Sequence, residues 1–328
     1  MGLFVPPAGA AEPGWRVTHR FAGRLNVVSV AATSPKDAWA VMTARSGGGG
    51  SALLRWNGKT WARQKLPSAY AQASLRKVEA TSPTNVWLYG EGRNHRGLLA
   101  RWDGRAWKTV SAPTIAGIPL GSLLVRGPKN VWCFFVDGRA AHYDGTRWRT
   151  RYSGVAAYDS AASGGTVWVV GSDIEGVRPR IAVWNNGAWK EVYKPDLRGL
   201  ASGVTIAAAG RPRAVGYLRT SDDSWQSVLY SWDGKAWRVV RGPRGPLFDK
   251  VALDGSGGLW ATSWAGGVYR HTGGTWRRAP IKGAGPGTSP LHLVDLTRIP
   301  GTRSSVWAVG GHQGSKFITD ALVFKHGR

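Results

Sequence analysis

Six short β-patterned stretches of the chain carry acids, a histidine and lysines at matching offsets, a set able to move protons. Aligned on Val30, Val78, Leu123, Val204, Val251 and Val294, they place Arg76, Asp249 and His292 in one ring. Glu79, Asp295 and, with a one-residue shift, Asp159 fall in a second. A carboxylate or imidazole near Lys77 or Lys250 could abstract a proton, as a lyase requires. Taken singly, the commoner role of each such residue is a hydrogen-bonded place in a core.

Other chemistries find less support. Leu253-Asp254-Gly255-Ser256-Gly257-Gly258 is superficially like the Gly-Asp-Ser-Gly-Gly of serine proteases, but Asp and Gly are transposed. The segment also takes the place of a turn, Ser34-Pro35-Lys36-Asp37. The chain has no His-Glu-x-x-His, no paired cysteines and no phosphate-loop pattern, and its seven histidines show no metal-ligand spacing. No catalytic residue, metal or cofactor is expected on these grounds.

The elements that position these residues are hairpins. In Leu53-Leu54-Arg55-Trp56-Asn57-Gly58-Lys59-Thr60-Trp61, Asn-Gly lies between β-favouring residues, a strong signal for a type I′ turn. With Asn57-Gly58 as the turn, Trp56 would pair with Lys59 and Leu54 with Trp61, leaving both indoles on one face as diagonal neighbours. The motif returns at 101–107, 142–148, 183–189, 231–237 and 270–276. Its closing tryptophans, from Trp61 to Trp276, are 46, 41, 41, 48 and 39 residues apart, a period that with β-patterning points to propeller blades. Between the hairpins runs a second signature, a polar turn entering a strand, as in Ser34-Pro35-Lys36-Asp37-Ala38-Trp39 and Ser82-Pro83-Thr84-Asn85-Val86-Trp87. Each repeat thus holds four short strands, and helical periodicity is missing over any useful length.

The termini share one blade. Residues 320–328 align with 51–59 and stop after the hairpin turn, while Trp15 precedes Trp61 by 46 residues, one period. The N-terminal strand is therefore expected to complete the last blade and close a ring of seven, removing the unpaired edges of an open array. Residues 14–328 read as one all-β domain, with the Gly47–Gly50 run as a blade loop.

These motifs resemble secreted bacterial seven-bladed β-propellers with a W-[DN]-G-x-x-W hairpin and an S-P-x-[DN]-[VA]-W turn in each blade. The resemblance spans residues 14 to 328 and implies the fold. For function it implies a range: lectin-like binders, scaffolds and a few lyases and hydrolases. The hairpin is also similar to an Asp-box, but Asp233-Gly234 lacks the intervening residue, so glycosidase activity does not carry over.

Residues 1–13 resemble the tail of a secretory signal with small residues near Ala10 and Ala11, which sets an expectation of secretion. No segment is apolar enough to span a bilayer as a helix, and the single cysteine, Cys133, lies in an apolar strand as a packing residue. Forty-four Lys and Arg against 19 Asp and Glu give a net charge of +25, favouring anionic partners: an acidic glycan or other anionic polymer, or nucleic acid through charge alone. Loops expected on the top face contain Arg20, Arg24, Arg198, Arg241 and Arg244 where blade runs into blade, and Arg45, Arg93, Arg178 and Lys316 after the strand that follows the inner turn.

Of nineteen tryptophans, seventeen recur at blade positions and read as core. Trp225 and Trp264 do not, and fall at the same end of consecutive blades. With Arg219 and Arg241 nearby they could line one top-face pocket for a sugar or an anionic group. The alternative for Trp225 is that it fills space in the fifth blade, where Arg213-Ala214-Val215 lacks the usual tryptophan. The sequence thus reads as a monomeric, secreted, non-catalytic binding module for a carbohydrate or anionic envelope polymer. A propeller enzyme at the axial mouth and a protein-assembly scaffold are the alternatives.

Overall fold

A computed structural model describes residues 14–21, 25–44, 50–70, 72–92, 96–113, 117–207, 210–284, 291–312 and 320–328. The N-terminal residues 1–13, Arg24, Arg45, Gly47–Gly49, Arg93 and Lys316 lie outside these. Seven antiparallel sheets follow one another around a ring. Blade 1 comprises the strands Leu25–Ser34, Asp37–Ala44, Ser51–Trp56 and Trp61–Gln64, in order from the axis outward, and blades 2 to 6 repeat this meander. Blade 7 is built from Leu291–Arg298, Val306–His312 and Ala321–His326, and its outer strand is Trp15–Phe21. That strand is itself covered by Ile281–Lys282, which pairs with it in parallel. The ring is closed by chain from both ends.

The hairpin register differs from expectation. Trp56 stands directly opposite Trp61, and the same holds for Trp102 and Trp107, Tyr143 and Trp148, and Trp232 and Trp237. In these blades the turn has four residues, and the side chain of its first one organises it. The backbone N–H groups of Lys59 and Thr60 both donate to Asn57 Oδ1 at 2.9 Å, as do those of Lys235 and Ala236 to Asp233. Among the described residues, a two-residue hairpin turn with positive φ at both centres forms only where the sequence offers Asn186-Gly187 and Gly273-Gly274.

The repeated tryptophans seal the seams. Trp39 of blade 1 packs at 5.7–6.0 Å against Trp102 and Trp107 of blade 2. Trp132 meets Trp184 and Trp189, Trp168 meets Trp232 and Trp237, and Trp307 meets Trp56 and Trp61 in the same way. Each tilted or edge-on pair contributes about 0.5–1.5 kcal/mol beyond the apolar area it buries. The Asp or Asn of the turn signature fixes the basic residue facing the indole. Arg55 pairs with Asp37 at 2.8 Å while its guanidinium lies 4.8 Å from the Trp39 ring. Arg270 repeats this with Asp254 and Trp260. Asp254, which also accepts from the N–H groups of Ser256 and Gly258, is thus a turn organiser, and Ser256 is bonded to it.

Candidate functional site

Every inner strand carries a β-bulge or equivalent irregularity near its start, and the bulge sets which residues ring the axis. The residue just past it pairs with the residue two beyond the seam tryptophan: Ser29 with Val41, Lys77 with Tyr89, Ser122 with Phe134, Asp159 with Val170 and Asp295 with Val309, while in blade 5, where Arg213 stands in place of the tryptophan, Gly203 pairs with Val215. Lys250 takes this place in blade 6, its N–H donating to Thr262 Oγ1. This corrects the alignment through Val294, which is the bulged residue of blade 7. Asp295 and Asp159 therefore share the ring of Lys77 and Lys250, and Glu79 stands two residues further along its strand.

Around the axis the order is Asp295, Ser29, Lys77, Ser122, Asp159, Gly203, Lys250. It contains an acid, a small residue and a lysine twice over. The small residue lets the lysine reach past one whole blade: Lys77 Nζ of blade 2 meets Asp295 Oδ2 of blade 7 at 3.3 Å, and Lys250 Nζ of blade 6 donates to Tyr158 O of blade 4 at 3.0 Å. The acids also latch neighbouring blades. Asp295 Oδ2 accepts from Ser29 Oγ at 2.8 Å and from the Val30 N–H, and Asp159 Oδ2 from the Val204 N–H at 2.9 Å. Both aspartates thus carry structural bonds of the kind expected for buried carboxylates.

Two further carboxyls share the channel without a lysine each. Burial, together with Asp295 and Asp159, pushes Glu79 up to about 8 against the pull of Lys77 and Lys250. Burial likewise raises Asp249, at the bulge of the blade 6 inner strand, to about 6. For Lys77 burial works against the charge, but Asp295, Glu79 and Asp159 more than reverse it and hold the ammonium protonated well above its usual range. Two aspartates stand against two lysines in the ring, so Glu79 tends to keep its proton near neutral pH, whereas Asp249 sheds its own above about 6. Of the other predicted ring members, Arg76 is turned to Glu91, with Nε and one terminal nitrogen both donating to Oε2 at 3.0–3.1 Å. His292 is buried with its ring 4.7 Å from that of Trp264.

Trp225 and Trp264 are 38% and 53% exposed, whereas Trp39, Trp87 and Trp307 at the seams are fully buried. Trp225 pairs with Arg219 at one end of its strand, while Arg213 pairs with Ser231 six residues away, ~20 Å along a strand. It therefore does not fill the place of the absent seam tryptophan. Instead it borders a pocket of about 390 Å³ with Val177, Arg198, Tyr217, Arg219 and Leu247. The indole packs edge-on against Tyr217 at 5.3 Å, and the Arg219 guanidinium lies 5.9 Å from it, held by Asp223. Trp264 faces His292 instead and is not among the residues lining this pocket, and Arg241, on the outer strand, bonds Gln226 at 3.3 Å. Sequence reasoning left Arg198 and Tyr217 out of the site. Alternation along the strand places Tyr217 on the same face as Arg219, which was the available signal. Several top-face cations are already neutralised: Arg20 by Asp320, Arg178 by Asp196, and Arg244 by Asp222.

The chain is a seven-bladed β-propeller with a charged axial ring and an aromatic, cationic pocket on one face. No family model matches it, and no curated protein aligns with it significantly. Among solved structures it is similar to one described as YCF48 bound to D1 peptide, with 13% identity over 97% of this chain and 100% of the other and a TM-score of 0.68. It is also similar to a streptogramin B lyase, with 10% identity over 96% and 98% of the two chains and a TM-score of 0.68. The WD40 propeller domain of Doa1 shares 11% identity over 95% and 97%, with a TM-score of 0.62. At such identities the likeness is one of fold.

Proposed function

We propose that the protein is a secreted, non-catalytic binding module that holds a carbohydrate or anionic envelope polymer in the Trp225 pocket. The carrying observation is an exposed indole that the repeat does not require, set between Tyr217 and the guanidinium of Arg219. The net charge of +25 and the exposed Arg198 on the pocket wall support an anionic ligand. A propeller of this fold solved with a peptide bound supports binding as the class of function.

A glycan and anionic-polymer array at two salt concentrations tests the reading. Trp225→Ala is expected to weaken the best ligand roughly five- to tenfold with little dependence on salt, since stacking on an aromatic is worth ~1–3 kcal/mol. Arg198→Ala should weaken binding mainly at low salt, because exposed charge attraction is screened over ~8–10 Å near physiological ionic strength. If Trp225→Ala lowers the melting temperature and leaves affinity intact, the indole is a packing residue and the reading fails.

Proton-transfer chemistry at the axial mouth is the second reading, favoured by Asp249 at about 6 in a buried site. It requires His292 and Asp249 together. An eliminase activity that survives the His292→Ala, Asp249→Asn double variant in folded protein removes this site from consideration.

A further inference from the structure

The seam between blades 5 and 6 breaks the rule that the other seams keep. Where they insert a tryptophan, blade 5 presents Arg213, and blade 6 offers His271 at the position that holds Trp or Tyr in blades 1 to 5. The guanidinium comes close enough to His271 that, after burial, its charge helps hold the imidazole below its ordinary range. Next to Arg213 a cleft of about 650 Å³ opens on the face opposite the Trp225 pocket, within the span typical of small-molecule sites.

Its wall is divided in character. Ile206, Trp232 and Leu253 supply apolar surface, while Arg211, Arg213, Arg238 and Arg298 supply charge. Against these four cations the lining holds one acid, Asp233, which bonds Arg238 at 2.8 Å. Arg298 donates to a carbonyl, Thr302 O, at 3.2 Å. Among the described residues neither Arg211 nor Arg213 has a carboxylate partner. A half-buried guanidinium without a counter-charge costs stability, whereas an indole at the same place would fill the seam. Folding alone therefore favours tryptophan at position 213.

We propose that this cleft is a second binding site, for an organic anion: a carboxylate, sulfonate or phosphate carried on an aromatic or aliphatic body. The planar guanidinium of Arg213, with Arg211 and Arg298, takes the anionic oxygens in paired hydrogen bonds, and Trp232 with Leu253 and Ile206 covers the apolar body. The site stands apart from the top-face pocket and shares no residue with it.

The test uses 8-anilinonaphthalene-1-sulfonate, an aromatic sulfonate, and N-phenyl-1-naphthylamine, its neutral counterpart. The sulfonate is expected to bind saturably at one site, at least tenfold more tightly than the amine. Arg213→Trp should abolish that binding and raise the melting temperature by refilling the seam. Arg213→Gln, which keeps the cleft open, should weaken the sulfonate at least fivefold and leave the amine unchanged, and it decides the matter if the tryptophan variant does not fold. Trp225→Ala should change nothing here, which separates this site from the top-face pocket. Equal affinity for the two probes in the parent protein, or unchanged sulfonate binding in folded Arg213→Trp or Arg213→Gln, overturns the proposal.

Discussion

Removing residues 1–21 is expected to leave a protein that aggregates or fails to fold. The Trp15–Phe21 strand is hydrogen-bonded on both sides, antiparallel to Ala321–His326 and parallel to Ile281–Lys282, so its loss opens blade 7 along a full strand. An uncovered edge of that length invites pairing between molecules. Trp15, 1% exposed, also fills the last seam, edge-on to Trp260 at 5.3 Å and against His326 at 5.6 Å. Cutting such an indole to alanine typically costs about 3–5 kcal/mol. Trp15→Ala alone should therefore lower the melting temperature by roughly 4–7 °C, while the deletion removes enough contact to exceed much of a domain's net stability of about 5–15 kcal/mol. Light scattering after size exclusion and a thermal melt read both. A monodisperse truncated protein that melts with the parent would mean the ring does not depend on its N-terminal strand.

That closure was legible in the sequence because a tryptophan one period before Trp61 can only belong to a hairpin whose other half lies elsewhere. The blades were legible for the same reason: Trp-Asn-Gly and Ser-Pro-x-Asp state a turn locally and repeat. What failed to show was register. Asn57 looks like the centre of a two-residue turn, and only its side chain, accepting from Lys59 and Thr60, makes it the first of four. The inner bulges left still less trace. An extra residue at Arg76 or Val294 has no composition of its own, so Asp295 was aligned with Glu79 and not with Lys77. The ion pair across the axis depends on Ser29 being small in the blade between, a relation between three strands that no single repeat displays. For the candidate site, Trp225 and Arg213 were visible as departures from the repeat. Their separation to opposite ends of blade 5 came only with the strand pairing.

The axial ring carries the other large effect. Lys77→Met is expected to destabilise the protein by about 3–5 kcal/mol at neutral pH, since removing one partner leaves buried carboxylate charge uncompensated. The loss should grow with pH. In the parent, Glu79 stands at about 8 in the fold against an ordinary 4.5, so the folded state binds the extra proton between those values and stability declines as pH rises through them, by on the order of a few kcal/mol. Asp249, raised from 3.8 to about 6, adds to the decline at the acid end of that window. Without the ammonium of Lys77, Glu79 is raised further, and its protonation offsets more of the loss near pH 5 than near pH 9. Glu79→Gln acts in the opposite sense: it removes the group that must ionise, so the parent's decline between pH 6 and 8 should flatten while its stability near pH 5 is nearly kept. Urea denaturation of the three proteins from pH 5 to 9 gives the comparison directly. A Lys77→Met deficit that is constant across this range would make the lysine a packing residue, and the balance of two acids against two lysines would then not be what holds the ring.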